Sequence, residues 1–458
     1  MTASREPRAP RPRLRTAVSA ALAVAAVGTS LTGCGTLSAA ENDPITVMTL
    51  APIDTKATNM PGMTATATAY ARWVNANGGI NGRELKVVTC NEGNDGVQAA
   101  GCARKAREVG AVAVVGSYTT HARTIMPALE LHGIPYLGGY GLTEEEFSSP
   151  LSYPVNGGQP ALVAGSGRQL AELCDEVALV RPDTIAGDEL PGLFNAGLAT
   201  RGEAGPAVDV PAPEDSAEYT REARTALRAA GVPEASEGAE ASDAGPDTGT
   251  GPGNGGFSTI ADSDGADGAC VAAALGGRTG TFIDSFSRLR ETSAEVTFAS
   301  VLGSVEQSLV NRTGGADSML EGSYVTSWYP ASQEPVWDEM RAATTEHAFG
   351  DNRIDTADPG VQTTWVAYTV LRSVLEDMEG QEITHRTVHQ ALDATGPVST
   401  GGITPDLSWQ YEDLLGSPSY PRIVNSMVNF QQVRDGQLVA ARQNPVDIGR
   451  TLNQITVG

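Results

Sequence analysis

The sequence predicts an α/β protein built on parallel β-sheet, and three observations carry that prediction. Apolar runs alternate with stretches of helical periodicity along most of the chain, the pattern of βα units feeding a parallel sheet. The run Ala111-Val112-Ala113-Val114-Val115 stops at Gly116, which reads as a strand buried on both faces. The length, 458 residues, exceeds one small core and is enough for two.

The segment after that strand is the first candidate site. Ser117, Tyr118, Thr119 and Thr120 follow Gly116, and ligand crevices in open parallel sheets lie at the carboxyl ends of strands. Thr119 or Thr120 also suits the N-cap of a helix starting near His121. The two roles are compatible, since a capped helix start also accepts anions.

In chain order, Ile45–Pro52 reads as a strand and Asn59–Asn77 as a helix closed by Gly78-Gly79. Arg83–Cys90 is a strand, Asp95–Val109 a helix closed by Gly110, His121–His132 a helix closed by Gly133, and Pro135–Gly139 a strand. Glycine just past a helical pattern is a stop signal. A second series follows: helix Pro160–Asp175, strand Glu176–Val180, helix Leu190–Arg201, strand Ala207–Pro211 and helix Ser216–Gly231. It resumes with strand Ala269–Leu275, helix Phe282–Arg290, strand Glu295–Val301, a helix from Ser304 and strand Ser323–Ser327. Residues 233–267 hold Gly, Ala, Ser, Asp, Glu and Pro with no Lys or Arg. Such composition cannot offset the entropy of ordering, so a disordered acidic insert is expected there. In the tail, Gln362–Met378 and Arg386–Ala394 are helices, and Ile423–Val439 is a hairpin around Asp435-Gly436.

The N-terminus speaks to compartment. Five Arg precede a short apolar stretch, Thr16–Gly28, that ends in Leu31-Thr32-Gly33-Cys34. This resembles the lipobox of bacterial lipoproteins. The resemblance implies a signal peptide over 1–33, cleavage before Cys34, a lipid on its sulfur and a tether over 34–44, placing the protein on the outer face of the cell membrane. Removing residues 1–33 takes the net charge from −24 to −28, an acidity that argues against nucleic acid as partner. Four other Cys remain, an even number suited to an oxidising compartment. Cys90–Cys102 is expected as a local bridge and Cys174–Cys270 as the second. With no CxxC and no His at ligand spacing, metal binding is not expected.

With these residues laid out, the chain resembles the type I periplasmic binding proteins, in the branched-chain amino-acid branch that serves ABC transporters. The points of resemblance are Asn75-Ala76-Asn77-Gly78-Gly79-Ile80-Asn81-Gly82-Arg83, then Val114-Val115-Gly116, Gly133-Ile134-Pro135 and Thr400-Gly401-Gly402-Ile403. The resemblance implies two doubly wound parallel-sheet lobes joined by a three-segment hinge, with ligand between them. It places the N-lobe at 45–156 and 331–416 and the C-lobe at 157–330 and 417–458. It further implies that Thr120 and Thr143 offer hydroxyls to ligand and that Tyr140, at a position normally small, reshapes the pocket. The acid that meets a ligand ammonium would fall near Val305 or Glu306. Arg278 stands where an aromatic residue is usual. Its guanidinium would suit a second anionic group, or it is a surface Arg at a helix start.

Enzyme motifs are missing. No G-x-G-x-x-G follows the first strand, no Walker lysine exists and no G-x-S-x-G elbow is present. His385 and His389 are four apart but lack the Glu of the zincin pattern. The expectation is a non-enzymatic, monomeric, lipid-anchored binding protein without cofactor, which passes a small polar ligand (an amino acid or related carboxylate or amide) to an ABC permease. The alternative is a receptor of the same fold that signals through a membrane partner.

Overall fold

The computed structural model describes residues 43–200, 205–232, 268–290 and 296–455. The leader, Cys34, nearly all of the tether and the acidic stretch 233–267 lie outside the described residues.

The first series comprises β1 (Ile45–Ala51), α1 (Pro61–Ala76), β2 (Leu85–Asn91), α2 (Gly96–Glu108), β3 (Val114–Val115), α3 (Ala122–His132), β4 (Tyr136–Leu137), α4 (Glu145–Ser148) and β5 (Ser152–Tyr153). Its strands form one parallel sheet in the order β2-β1-β3-β4-β5. Alternate residues of β1 enter different cores: Ile45, Val47 and Ala51 one, Met48 and Leu50 the other. Both faces are covered, which is why this strand reads as an unbroken apolar run rather than an alternation. The 111–117 stretch is shorter as a strand than its sequence suggests. Only Val114 and Val115 form the strand, Val114 pairing on both sides and Val115 with Leu137, although Val112 donates to the Thr46 carbonyl and Met48 to that of Ala113.

The second series comprises α5 (Gly158–Leu170), β6 (Glu176–Pro182), α6 (Leu190–Leu198), β7 (Val208–Ala212), α7 (Thr220–Ala229), β8 (Ala269–Ala273), α8 (Thr279–Arg290), β9 (Val296–Val301), α9 (Gln307–Arg312) and β10 (Tyr324–Ser327). The chain then returns to the first lobe with α10 (Asp338–His347), α11 (Pro359–Asp377) and α12 (His385–Ala394). It ends on the second with β11 (Met427–Arg434), β12 (Gln437–Ala440), β13 (Val446–Asp447) and α13 (Gly449–Asn453). The second sheet runs β12-β11-β10-β9-β8-β6-β7. It is parallel from β10 to β7, and β11 pairs antiparallel with β10. The β11–β12 turn uses Asp435 and Gly436, both at positive φ, the conformation that a two-residue hairpin demands. Disulfides join Cys90 to Cys102 and Cys174 to Cys270.

The chain therefore passes between lobes three times, at 154–157, 328–334 and 395–426. These crossings are bonded to one another or to the strands beside them. Asn156 Nδ2 donates to the Tyr329 hydroxyl at 3.0 Å, Asn425 Nδ2 to the Val155 carbonyl at 3.1 Å and Gln431 Nε2 to the Tyr329 carbonyl at 3.1 Å. Trp328 Nε1 donates to the Gly158 carbonyl at 2.8 Å. The hinge is thus a defined hydrogen-bonded unit between the two sheets.

Candidate functional site

Two loops at the carboxyl ends of β3 and β4 form the first-lobe wall of the cleft. In the loop after β3, Gly116 has φ +56°, and a Cβ there would lie 2.9 Å from Thr364 Cα on α11. Only glycine meets both conditions. The next hydroxyls turn inward. Ser117 Oγ accepts from the Leu50 N–H at 3.1 Å and donates to the Val115 carbonyl at 3.2 Å. Thr119 Oγ1 donates to Glu92 Oε2 at 3.0 Å and accepts from the His121 N–H at 2.9 Å. Glu92 is fully buried, and that burial raises its pKa despite the Thr119 bond. Thr120 is exposed.

The loop after β4 is organised around Glu146. One carboxylate oxygen accepts from the Gly141 N–H at 3.2 Å and the Tyr136 hydroxyl at 3.3 Å. The other accepts from the N–H groups of Leu142 and Thr143 at 2.8 and 3.1 Å and from the Thr143 hydroxyl at 3.3 Å. Burial raises the Glu146 pKa, and the three backbone donors oppose that rise. The Thr143 hydroxyl is thereby held by the protein's own carboxylate, and no hydrogen bond links it with Thr120.

Between the lobes stands a run of aromatic rings. Tyr118 packs edge-on to Tyr140 at 5.1 Å between centroids, and Tyr140 packs edge-on to Trp328 at 4.9 Å. The Tyr140 hydroxyl reaches the turn after β9, where a Cβ on Gly303 would lie 2.6 Å from it. Gly303 has φ +87°, so the sharp turn and the approaching ring both require its missing side chain. Desolvation pushes the Tyr118 phenol up to about 12 and the Tyr140 phenol well above its ordinary value. Val301 and Leu302, at the end of β9, pack into the main core of the first lobe. Near them a cavity of about 10 Å³ lies between lobes, lined by Leu302, Gln307, Pro330, Ala357 and Gln362 among others. It is the size of one water.

Acids from both lobes act on one another electrostatically across this contact. Glu306 precedes α9 on the second lobe, and its side chain caps nothing. Asp358 precedes α11 on the first lobe and caps it, accepting from the Val361 N–H at 2.8 Å. Desolvation first, then the nearby charges of Asp358 and Asp355, push Glu306 up to about 8. Asp358 rises chiefly through burial, against two backbone hydrogen bonds. Both acids act on the Tyr140 phenol.

The structure thus brings Tyr118 and Tyr140 together with Trp328 and Glu306. It sets Ser117, Thr119 and Thr143 into internal bonds and leaves Thr120 outside them. Arg278 is exposed on the turn before α8, and its charge acts on Tyr219. Asp358 and Trp328 were not picked out from sequence. Asp358-Pro359 carries an N-cap signature that could have placed it, whereas nothing in the sequence around Trp328 signals a residue shared by two lobes.

Comparison with known proteins agrees with this geometry. No curated protein matches the sequence. Solved structures superpose over nearly their whole length. A branched-chain amino-acid ABC transporter protein from Thermus thermophilus with bound valine is 14% identical, with TM-score 0.66 over 89% of this chain and 97% of that one. A possible leucine/isoleucine/valine-binding protein from Rhodopirellula baltica is 13% identical, with TM-score 0.66 over 89% and 98%. A fatty acid ABC transporter substrate-binding protein from Thermomonospora curvata is 12% identical, with TM-score 0.64 over 89% and 94%. A family model described as periplasmic binding protein matches residues 54–413. On that match and this two-lobed architecture, the chain belongs to the periplasmic binding protein family, in its type I fold.

Proposed function

We propose that this protein is an extracellular solute-binding lipoprotein. It is held to the cell membrane by lipid on Cys34 and delivers a small polar ligand to an ABC transporter permease. The observation that carries the reading is the hinge-mounted cleft. The two lobes meet with Tyr140 against Gly303 and with Glu306 under the charge of Asp358. Rotation about the hinge would part exactly those groups and expose them, as in hinge closure around ligands. The named functions of the similar structures, which include amino-acid and fatty-acid transport, support the transport role. No chemistry on the ligand is proposed.

The test is a thermal-shift screen of the purified protein against amino acids, amides, carboxylates and amines. A ligand that binds the folded state alone raises the melting temperature by mass action. At least one compound should do so in a saturable way and be recovered unaltered. Silence across all four classes would overturn the reading. Membrane anchoring is tested separately: Cys34→Ala should release the protein from the membrane fraction.

A further inference from the structure

A cluster of ionisable side chains, apart from the cleft residues above, stands where the first and third crossings meet. Tyr153 ends β5, just before the first crossing. Its hydroxyl donates to Asp393 Oδ1 at 2.7 Å, and the Arg422 guanidinium lies over its ring, 5.0 Å from the centroid. Asp393 is on α12, just before the third crossing, and Arg422 is near that crossing's end, so one tyrosine gathers both of its ends. Arg422 also straps the crossing to the first lobe. Its backbone N–H donates to the Phe147 carbonyl and its Nε to the Ser152 carbonyl, both at 2.9 Å. Yet its Nη2 is buried and, among the described residues, has no hydrogen-bond partner, a costly state for a donor. Burial lowers the Arg422 pKa, against Tyr153 and then the carboxylate of Asp393. His389 claims the same carboxylate at its other oxygen, with Nε2 3.1 Å from Oδ2.

The other ionisable groups on the elements packed around His389 are few. On its own helix, His385 lies by Gly133, where a Cβ would be 3.7 Å from its ring, and Arg386 is exposed. On α11, Arg372 pairs with Glu376 at 2.7 Å and Asp377 is exposed. On α3, Glu130 accepts from Ser149 Oγ at 2.6 Å, and His132 lies in the last turn. We propose that the cluster is an acid-sensitive clasp on the hinge. With His389 neutral, the charges of Arg422 and Asp393 cancel. Protonated, His389 brings the cluster to one net positive charge and draws on the carboxylate that steadies the buried guanidinium. The strap on Phe147 and Ser152 then loosens. Histidine is the side chain that changes charge between pH 5 and 8, so the clasp holds in neutral surroundings and slackens in acid. His389 and Asp393 are 31% and 48% exposed, so water screens the pair and the effect is about threefold. The clasp belongs to the hinge, whatever the cleft binds.

The experiment is amide hydrogen exchange on the whole protein without added solute, read at Arg422, whose N–H bonds to the Phe147 carbonyl. After correction for the intrinsic pH dependence of exchange, its protection should fall about threefold from pH 7.5 to pH 5.5, while protection in β1 stays constant. His389→Gln should keep the same protection at Arg422 at both pH values. Asp393→Asn, which removes the counter-charge outright, should show the lowered protection at both. Equal protection of the parent at the two pH values, a fall shared by β1, a pH dependence that survives in His389→Gln, or an Asp393→Asn variant as protected as the parent at pH 7.5 would overturn the proposal. The solute-binding reading is tested by the thermal-shift screen and stands or falls separately.

Discussion

Glu146 and Glu306 both stand at strand ends beside the cleft, on opposite lobes, and they behave differently. Glu146 is 2% exposed and receives five hydrogen bonds, one from Tyr136 on β4 and four from the loop that follows. Glu306 is half-buried, caps no helix and lies under the charge of another carboxylate across a lobe boundary. One acid has every donor it needs and holds a loop in shape. The other has Ser308 and Arg312 beside it, and burial with the nearby charges of Asp358 and Asp355 outweighs both. A charge that the fold satisfies is architecture, and a charge that the fold leaves exposed to repulsion is where a ligand has something to contribute.

That contrast can be broken by substitution, and the largest effect belongs to Glu146. Glu146→Ala leaves the buried Gly141 N–H, the part-buried Leu142 and Thr143 N–H groups and the Thr143 hydroxyl short of an acceptor and should cost about 3 kcal/mol, each orphaned buried group costing about 1–3 kcal/mol. The urea midpoint measures it, and a loss under about 1 kcal/mol would remove Glu146 from its structural role. Ser117→Ala takes a partner from the Leu50 N–H and the Val115 carbonyl and should cost about 1–2 kcal/mol on the same scale.

Glu306 should respond in the opposite direction. Its folded pKa, raised to about 8, means that the folded protein holds this proton better than the unfolded chain. The group's favourable contribution is complete below its ordinary pKa, near 4.5, and is lost as pH rises through about 8. Glu306→Gln cannot ionise, so it should match the parent at pH 4.5 and exceed it at pH 8.5 by about 2 °C, the scale of roughly 1 kcal/mol. A melting temperature lower than the parent's at pH 8.5 would show that the charge is satisfied after all. The smallest effect belongs to Thr120→Ala. An exposed hydroxyl outside the internal bonds should change stability by less than about 0.5 kcal/mol, as followed by the urea midpoint.

Much of this architecture was legible in the residues. The apolar run ending at Gly116, the glycine-closed helices and the Asp435-Gly436 turn express local rules, and each appears where the chain spells it. α10 was not legible, because only Met340, Ala343, Thr344 and His347 of its ten residues are buried, too weak a stripe to stand out. The short strands β5 and β13, two residues each, are set by pairing with neighbours rather than by composition. The site was legible by position but not by bonding. Sequence brings Ser117, Thr119 and Thr143 to strand ends, yet whether a hydroxyl faces ligand or a protein carboxylate depends on Glu92 and Glu146, which are remote or on the far side of a turn. The electrostatic coupling of Glu306 and Asp358 joins residues 52 positions apart, a relation that only the folded hinge creates.

The central claim is that the cleft between the lobes captures a small molecule, and native mass spectrometry tests it most directly. The protein, equilibrated with a cell-free small-molecule extract and desalted, should retain one compound at a one-to-one ratio and release it chemically unchanged. Gly303→Val, which puts a branched side chain where the Tyr140 hydroxyl must pass, should retain none. A parent protein that emerges with no bound compound, or a Gly303→Val variant that carries the same one, would contradict the account.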